Sequence, residues 1–402
     1  MPLRPPAGFI SAFYDPLKVA NAPTIGTATG GDTSASVTFT APSNTGGAAI
    51  TQYYAVSNPS QITGNAASSP VSVSGLTNGT SYTFTVWALN SFGPSPYSGA
   101  SGSVTPVGVL GIFLGGNTTD ASTRINVIQF VSITTTGNAS DFGDLTASTD
   151  NGAGCASATR GLIGGGGTPA ANPINTIEFI TIASAGNASD FGDLTVSRNQ
   201  LAATNNSTRG VFFGGSSGGT IDYVTIASTG NAITFGNIPF GTFGVSGCCS
   251  PTRSVFSVGN VSGSRSNVLN YITTATTGNA LDFGDLDQVI SSTASFSSGT
   301  RGIFGGGVTT PDDSVNIINF ITIATTGNST DFGDLTQSLF ALGGCSSSVR
   351  GLFAGGTRYS DFQRTNVIQY ITIASTGNAI DFGDLQADTR DVAACSNVNG
   401  GL

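Results

Sequence analysis

The stretch Thr376-Gly377-Asn378-Ala379-Ile380-Asp381-Phe382-Gly383-Asp384-Leu385 decides the fold, because near copies of it recur from residue 108 to the end of the chain. Its Gly-Asn pair marks six copies, spaced by 49, 44, 48, 49 and 50 residues. The pairs begin at Gly137, Gly186, Gly230, Gly278, Gly327 and Gly377. Around the last copy, strand-like segments lie at residues 352–356, 366–374, 381–385 and 391–395. Self-similarity at this period predicts an array of similar β-structured units.

The two ends of the array predict how it is completed. Four strands in roughly 40–50 residues is the size of one β-propeller blade. The first copy begins at residues 111–114 without a preceding strand, and the last copy ends with an extra strand at residues 391–397. We therefore expect the C-terminal strand to complete the first blade, so that residues 108–402 form a closed six-bladed β-propeller without exposed sheet edges. A linear solenoid would need polar capping repeats, which the sequence lacks.

A diglycine closes one strand in five of the six copies, and this pattern resembles kelch repeats. The fourth copy has Val258-Gly259 instead, and the Phe of the Asp-Phe-Gly-Asp segment stands where kelch repeats have Trp. The diglycines are Gly115-Gly116, Gly165-Gly166, Gly214-Gly215, Gly305-Gly306 and Gly355-Gly356. The resemblance implies a kelch-like propeller.

Residues 22–107 have a different pattern, in which short strands alternate with Pro, Gly and Asn turns. The strand-like segments, at residues 36–39, 50–56, 71–73 and 82–89, have the spacing of a β-sandwich. Tyr82 follows the Asn78-Gly79 turn and stands six residues after Leu76. This layout predicts a tyrosine corner, in which the phenol bonds to backbone upstream. The segment resembles fibronectin type III modules, and the resemblance implies an all-β sandwich of that type.

The first 21 residues are too short to form a domain. They cluster apolar side chains, and we expect this arm to dock on the protein's own body or on a partner. The candidate docking residues are Phe9, Ile10, Phe13, Tyr14 and Leu17. The arm lacks the charged-then-apolar layout of a signal peptide.

Composition and charge exclude several classes of function. Only 9% of the 402 residues are charged, and the formal net charge is -9. Nucleic acids and anionic membrane surfaces attract clustered Lys and Arg, so neither is an expected partner. No apolar run approaches the ~20 residues of a membrane-spanning helix. The five Cys have no framework spacing, and we interpret them as reduced thiols of a protein that folds in a cytoplasm.

The Asp-Phe-Gly-Asp segment has three interpretations. A kinase magnesium motif would occur once, with a catalytic loop and a phosphate-binding Lys, which the sequence lacks. Two carboxylates in a Gly turn suit calcium, but the third copy has Thr234 and Asn237, so no metal or cofactor is expected. The structural interpretation assigns to the framework the leading carboxylates Asp141, Asp190, Asp282, Asp331 and Asp381.

Five of the 13 basic residues stand at one phase of the repeat, just before the diglycine strand. They are Arg160, Arg209, Arg253, Arg301 and Arg350. Because a planar guanidinium suits a carboxylate or several backbone carbonyls, we expect each to bond the Asp of an Asp-Phe-Gly-Asp turn, or carbonyls, within or between blades. The sixth position holds Leu110, which makes no such bond.

The side chains present do not indicate catalysis. The chain has no His, the usual general acid or base at neutral pH. Its Asp residues are repeated rather than arranged as one pair for glycoside hydrolysis. The same phase of the innermost strand holds Cys155, Cys248, Cys345 and Cys395. Without a paired Cys spacing, we interpret these as packed thiols rather than metal ligands.

The repeated Thr-Gly-Asn-Ala-x-Asp-Phe-Gly-Asp-Leu phrase and the opening arm at residues 8–17 resemble structural proteins of tailed, especially marine, bacteriophages. The resemblance implies a multi-copy virion protein that is released by lysis. Its arm and sandwich would contact other virion proteins, and its propeller would display variable loops to a host-surface glycan or protein. Alternatives are a capsid-decoration or tail-assembly protein without a receptor role and, as the weakest, a carbohydrate-active enzyme.

The variable loops are expected after each diglycine, at residues 117–124, 168–173, 216–219, 261–266, 308–314 and 357–364. The last of them is richest in aromatic and basic side chains. It supplies the candidate contact residues Arg358, Tyr359, Phe362 and Arg364.

Overall fold

The computed structural model describes residues 17–118 and 123–402, and every regular element in these ranges is a β-strand. In that part of the chain, no helix is long and apolar enough to cross a membrane. The chain divides into two compact units, Met1–Gly108 and Val109–Leu402. The fold class is therefore all-β, as the sequence predicts.

The first unit is a sandwich of two antiparallel sheets. Its strands are β1 (Thr24–Gly31), β2 (Ser34–Thr40), β3 (Gln52–Asn58), β4 (Thr63–Ala66), β5 (Val71–Ser74), β6 (Thr83–Asn90) and β7 (Gly93–Pro94). One sheet has the order β1-β2-β5 and the other β4-β3-β6-β7. Because side chains alternate along a strand, Phe84, Val86 and Ala88 of β6 are buried between the sheets, whereas Thr85 and Trp87 lie half-buried on the outer face.

The second unit contains 28 strands among its described residues. They are β8 (Leu110–Leu114), β9 (Val127–Ser132), β10 (Ser140–Asp144), β11 (Ala153–Ala156), β12 (Arg160–Gly164), β13 (Thr176–Thr181), β14 (Ser189–Asp193), β15 (Ala202–Asn205), β16 (Arg209–Phe213), β17 (Thr220–Thr225), β18 (Ile233–Asn237), β19 (Thr242–Phe243), β20 (Ser246–Cys249), β21 (Arg253–Ser257), β22 (Asn260–Val261), β23 (Ser264–Thr273), β24 (Leu281–Ser291), β25 (Ala294–Ser297), β26 (Arg301–Gly305), β27 (Val308–Thr309), β28 (Asp313–Ser314), β29 (Ile317–Thr322), β30 (Thr330–Asp334), β31 (Gly343–Ser346), β32 (Arg350–Ala354), β33 (Val367–Thr372), β34 (Ile380–Asp384) and β35 (Ala393–Ser396).

These strands form six antiparallel sheets. Sheet 1 is β10-β9-β8-β35, sheet 2 is β11 to β14, sheet 3 is β15 to β18, sheet 5 is β25-β26-β29-β30 and sheet 6 is β31 to β34. Sheet 4 is built on β20, β21, β23 and β24, and β19, β22, β27 and β28 extend it to eight strands. In sheet 1 the C-terminal strand β35 pairs with β8, with Ala393 opposite Leu114 and Ser396 opposite Gly111. The two ends of the repeat array therefore share one sheet.

The Phe of each Asp-Phe-Gly segment, and its counterpart Phe235 in the third copy, is a core residue. Each is at most 4% exposed and meets the aromatic ring of the adjacent strand edge-on, with ring centres 5.9 to 6.1 Å apart. Five buried clusters each combine side chains of two sheets, joining 2 with 3, 3 with 4, 4 with 5, 5 with 6, and 6 with 1. Burial between sheets thus explains the recurring Phe.

The Gly-Asn pair that marks the repeat joins neighbouring sheets. The Gly137 N–H donates to the carbonyl of Phe382, 2.8 Å away, and Oδ1 of Asn138 accepts from the Asp384 N–H at 3.1 Å. The equivalent Gly-to-Phe bonds are Gly186 to Phe142, Gly230 to Phe191, Gly278 to Phe235, Gly327 to Phe283 and Gly377 to Phe332. One backbone contact therefore recurs at six junctions, including the junction of sheet 6 with sheet 1.

Candidate functional site

Strand direction brings two sets of variable residues to the same end of the six sheets. One strand of each sheet starts at this end, and the strand paired with it runs antiparallel and returns there. These starting strands are β35, β11, β15, β20, β25 and β31. The residue two positions before each of them and the loop after its partner therefore lie at one end, which we call the loop end.

Six residues at the loop end form a closed cycle of backbone hydrogen bonds. All six have a left-handed backbone, with φ between 53° and 65°. The N–H of each donates to the carbonyl of the equivalent residue in the preceding sheet over 2.9 to 3.2 Å, and the N–H of the first, Asn151, donates to the last, Asp391. The members are Asn151, Gln200, Gly244, Ser292, Ala341 and Asp391. This cycle surrounds a cavity of about 280 Å³.

The lining of this cavity contains both polar and apolar residues. The cycle contributes four residues with polar side chains, Asn151, Gln200, Ser292 and Asp391. Four apolar residues, each next in sequence after a member of the cycle, also line it and are at most 8% exposed: Leu201, Val245, Leu342 and Val392. Arg390 and Phe340 complete the wall.

Charge at the cavity rim is concentrated near Asp391. Nε of Arg390 lies 3.3 Å from Oδ2 of Asp391. Burial raises the pKa of Asp391 to about 6; the Asp150 carboxylate adds to this increase, and the guanidinium groups of Arg390, Arg364 and Arg124 oppose it. Asp150 itself is held by Nε of Arg124 at 2.7 Å. The carboxyl group of Asp391 therefore changes charge near neutral pH.

The candidate contact loop at residues 357–364 lies beside the cavity. Phe340 of the cavity wall contacts the ring of Tyr359, with centres 5.9 Å apart, and Tyr359 contacts Phe362 at 5.5 Å. Phe362 is 60% exposed and has φ +54°, a left-handed conformation that is strained for an aromatic residue. The three rings form a strip, which we call the aromatic strip, from the cavity wall to the exposed loop.

Charged side chains from sheets 4 and 6 lie beside the aromatic strip. Arg265, from the β22–β23 hairpin, pairs with Asp312 of the β27–β28 hairpin and donates to the Thr309 carbonyl at 2.9 Å. Asp312 also accepts a hydrogen bond from Tyr359, and its pKa is lowered chiefly by the bond from Arg265. Within the loop, Arg358 pairs with Asp361 at 2.9 Å. Arg364 is half-buried near Asp391. The four candidate residues are thus in one loop, but only Tyr359 and Phe362 share the strip.

The repeat arginines bind carbonyls of the following sheet. Nη1 of Arg350 lies 3.3 Å from the Ile133 oxygen and 3.0 Å from the Thr134 oxygen, and its guanidinium carbon lies 4.7 Å from the ring centre of Tyr370. Equivalent bonds join Arg160 to Ile226, Arg209 to Thr274 and Ala275, Arg253 to Ile323 and Ala324, and Arg301 to Ile373 and Ala374. The sequence leaves two acceptors open for these Arg residues, carboxylates or backbone carbonyls, and in the structure they donate to backbone carbonyls. The carboxylates Asp141, Asp190, Asp282, Asp331 and Asp381 are exposed on the outermost strands.

The cysteines are packed, buried thiols. All five are free and buried. Sγ of Cys345 fills the space beside Gly111 of the next sheet, where a Cβ would stand 2.7 Å from the sulfur, and Cys248 is placed likewise against Gly302. Burial raises the pKa of Cys395 to about 12. Over the described ranges, no group of three or more His, Cys, Asp or Glu is placed to hold a metal ion.

Of the candidate docking residues, Phe9, Ile10, Phe13 and Tyr14 lie outside the described residues. Leu17 is 61% exposed, and the N–H of the next residue, Lys18, donates to the Gly46 carbonyl at 2.9 Å.

The sandwich contains the expected tyrosine corner. The Tyr82 hydroxyl accepts a hydrogen bond from the Thr77 N–H at 3.1 Å, and Leu76 is buried. Residues 21–102 match the fibronectin type III domain. On the outer face of this fibronectin type III domain, the rings of Tyr54 and Trp87 stack at 4.1 Å. No curated protein is similar to the chain.

Sequence reasoning did not find the cavity. Each residue of the cycle stands six positions after the Leu or Ile that ends the repeated phrase, as Asn151 follows Leu145 and Gly244 follows Ile238. At this shared position one copy has Gly and another has Asn. These are the two residues that most readily adopt a left-handed backbone, so their occurrence there is the signal in the sequence.

Proposed function

We propose that residues 109–402 form a closed six-bladed, kelch-like β-propeller that serves as the binding module of a non-enzymatic virion protein of a tailed bacteriophage. In this proposal the N-terminal arm and the fibronectin type III domain attach several copies to other virion proteins. The loop end of the propeller then faces a host-surface glycan or protein. The protein would fold in the host cytoplasm and leave by lysis.

Three sets of contacts support a closed ring. β35 pairs with β8, so that both ends of the array are in sheet 1. The Gly-to-Phe bonds return from sheet 6 to sheet 1, and Arg350 of sheet 6 donates to carbonyls of sheet 1. The cycle from Asn151 to Asp391 has one member from each sheet and no free end. A ring leaves only short, protected sheet edges, which limits edge-to-edge aggregation.

The observation that carries the binding role is the aromatic strip at the loop end. Exposed aromatic surface on a loop supported by rigid sheets is a common feature of recognition sites. Phe362 has two energetically unfavourable features, because this apolar residue is 60% exposed to solvent and its backbone is left-handed. Strained residues of this kind concentrate at functional sites.

The assignment to a phage particle is supported by the resemblance of the repeated phrase and the opening arm to phage structural proteins. A fibronectin type III domain joined to a Gly-rich repeat array fits a spacer that carries a display module. A reconstruction of the intact particle would test this assignment. Absence of this chain from the particle would overturn it, and density for the chain inside the capsid would overturn its display at the surface.

The binding role is tested with the full-length chain on an array of bacterial surface polysaccharides and glycans. We expect binding that Phe362→Asn reduces at least tenfold, because Asn tolerates the left-handed backbone but has no ring. Phe92→Asn, which removes a 45% exposed ring from the fibronectin type III domain, is the matched control. Equal binding by both variants and the unmodified protein would refute the role of the loop end.

A further inference from the structure

The cavity at the loop end is a built site of defined size. It is enclosed by one residue from each of six sheets, and backbone hydrogen bonds fix their positions. Its volume of about 280 Å³ falls just below the roughly 300–1,000 Å³ typical of pockets for drug-sized ligands. The cavity therefore has room for one small ring, and a longer ligand must extend out of it.

The cavity lining matches a ligand with many hydroxyl groups and no net charge. The amides of Asn151 and Gln200 and the Ser292 hydroxyl each supply both donors and acceptors. Among the described residues of the lining, Arg390 and Asp391 carry the charge, and they are paired with each other. An anion would compete with Asp391 for the guanidinium, whereas a neutral hydroxylated ring leaves the ion pair intact.

The apolar part of the lining narrows the ligand class further. Leu201, Val245, Leu342 and Val392 line the cavity beside its polar residues. A pyranose ring is amphipathic in the same way, because its C–H groups form apolar faces and its hydroxyl groups lie around the edge. A small, strongly hydrated polar molecule such as an inorganic ion has no apolar face to place there.

The aromatic strip gives the ligand a direction. Phe340 belongs to both the cavity wall and the strip, and the strip continues through Tyr359 to Phe362. The steps of 5.9 and 5.5 Å between ring centres are comparable with the size of one sugar ring. Aromatic faces bind the C–H faces of sugars, and the Tyr359 hydroxyl and the Arg265–Asp312 pair supply polar groups beside them.

We infer that the cavity binds one neutral pyranose ring of an oligosaccharide, and that the aromatic strip binds the next rings as the chain leaves the cavity. This inference rests on the proposed binding function and assigns its ligand class and its subsites. Gln200 and Asn151 act in the cavity, and Tyr359 and Phe362 act along the strip.

The test uses the full-length protein with neutral hexoses and their linear trisaccharides, and with trigalacturonate as an anionic comparison. Saturation-transfer NMR detects binding and isothermal titration gives the dissociation constants. Gln200→Gly and Asn151→Gly remove the amides and keep the left-handed backbone unstrained, and Gln200→Asn retains a shorter amide. We expect either glycine variant to weaken hexose and trisaccharide binding at least tenfold, and Gln200→Asn to recover part of it.

The strip is tested separately from the cavity. Phe362→Asn should weaken the trisaccharide about tenfold and leave the single hexose unchanged, while Phe92→Asn should change neither. Melting curves of each variant establish that it is folded. The inference is overturned if trigalacturonate binds more tightly than the neutral trisaccharides, or if the glycine variants bind as the unmodified chain does.

The outcomes also separate this inference from the proposed function. If polysaccharides bind on the array with the expected loss in Phe362→Asn, but the cavity variants bind normally, the loop end is a binding surface and the cavity subsite is wrong. If neither the array nor any neutral sugar gives binding, both are refuted.

Discussion

Replacing Arg350 with Ala tests whether the last sheet is joined to the first. The substitution removes two hydrogen bonds from Nη1 to the Ile133 and Thr134 carbonyls and a guanidinium contact with Tyr370. The bonds of this half-exposed group contribute about 1 kcal/mol, and the ring contact about 0.5–1 kcal/mol. Loss of the alkyl stem's packing brings the expected destabilisation to about 2 kcal/mol.

Two spectroscopic signals distinguish the units in this experiment. The only Trp of the chain, Trp87, is in the fibronectin type III domain, so its fluorescence reports unfolding of that unit. Far-ultraviolet circular dichroism reports both units. For a unit of this size, about 2 kcal/mol corresponds to a melting temperature lower by about 4 °C. We expect Arg350→Ala to lower the dichroism transition by this amount and to leave the Trp87 transition unchanged.

Matched variants make the outcome decisive. Arg253→Ala breaks the same contact between sheets 4 and 5 and should cost as much. Arg358→Ala removes an exposed ion pair and should cost almost nothing. If Arg350→Ala is silent while Arg253→Ala is destabilising, sheets 6 and 1 are not joined in solution, and the closed ring is refuted.

Three further predictions concern the framework and the cavity. Leu110→Arg should raise the melting temperature by a few degrees. Leu110 and Phe130 have the same register as Arg350 and Tyr370, so an Arg at position 110 is expected to contact Phe130 and the carbonyls of the next sheet. An unchanged melting temperature would argue against the repeat alignment. Gly302→Ala should destabilise by about 1–3 kcal/mol through overlap with Cys248, whereas Gly278→Ala, with open space around it, should not. Combining Gly302→Ala with Cys248→Ala should restore the stability, which urea titrations of the single and double variants would show. Asp391→Asn tests the raised pKa of Asp391. Protonation of this carboxyl group stabilises the folded state, so the stabilisation is complete below pH about 4 and is lost as the pH rises through about 6. The free energy of unfolding should change by about 3 kcal/mol over this range. The Asn variant should lack this decline in denaturation midpoints between pH 4 and 7, and an identical decline in both proteins would place its origin elsewhere.

Local patterns identified much of the fold because they depend on neighbours along the chain. Alternation and turn residues located β2, β3, β5 and β6 of the sandwich, and the position of Tyr82 predicted its bond to upstream backbone. The strands β1 and β4 were not expected, because Gly, Thr and Asn make their composition resemble loops. They form strands because they pair with β2 and β3, although their own residues have low β-propensity.

The repeat determined which residues are equivalent, but not what each of them contacts. The common phase of the arginines was evident from the sequence. Whether they bind Asp or carbonyls depended on the placement of the next sheet, which brings Thr134 within 3.0 Å of Arg350. Likewise the sequence shows that the cysteines share one position of the repeat. That their thiols fill the spaces beside glycines of a neighbouring sheet depends on how the sheets pack.

The sequence alone determined an all-β chain with a fibronectin type III domain and six copies of one unit, since composition and period are properties of the chain itself. The tertiary structure decided that Asn151 and Asp391, 240 residues apart, meet in one cycle and enclose a cavity. It also decided that Phe340, Tyr359 and Phe362 lead out of that cavity. The physical reason is that each sheet buries its side chains against the next, so distant residues of equal phase come together only after all six sheets have packed.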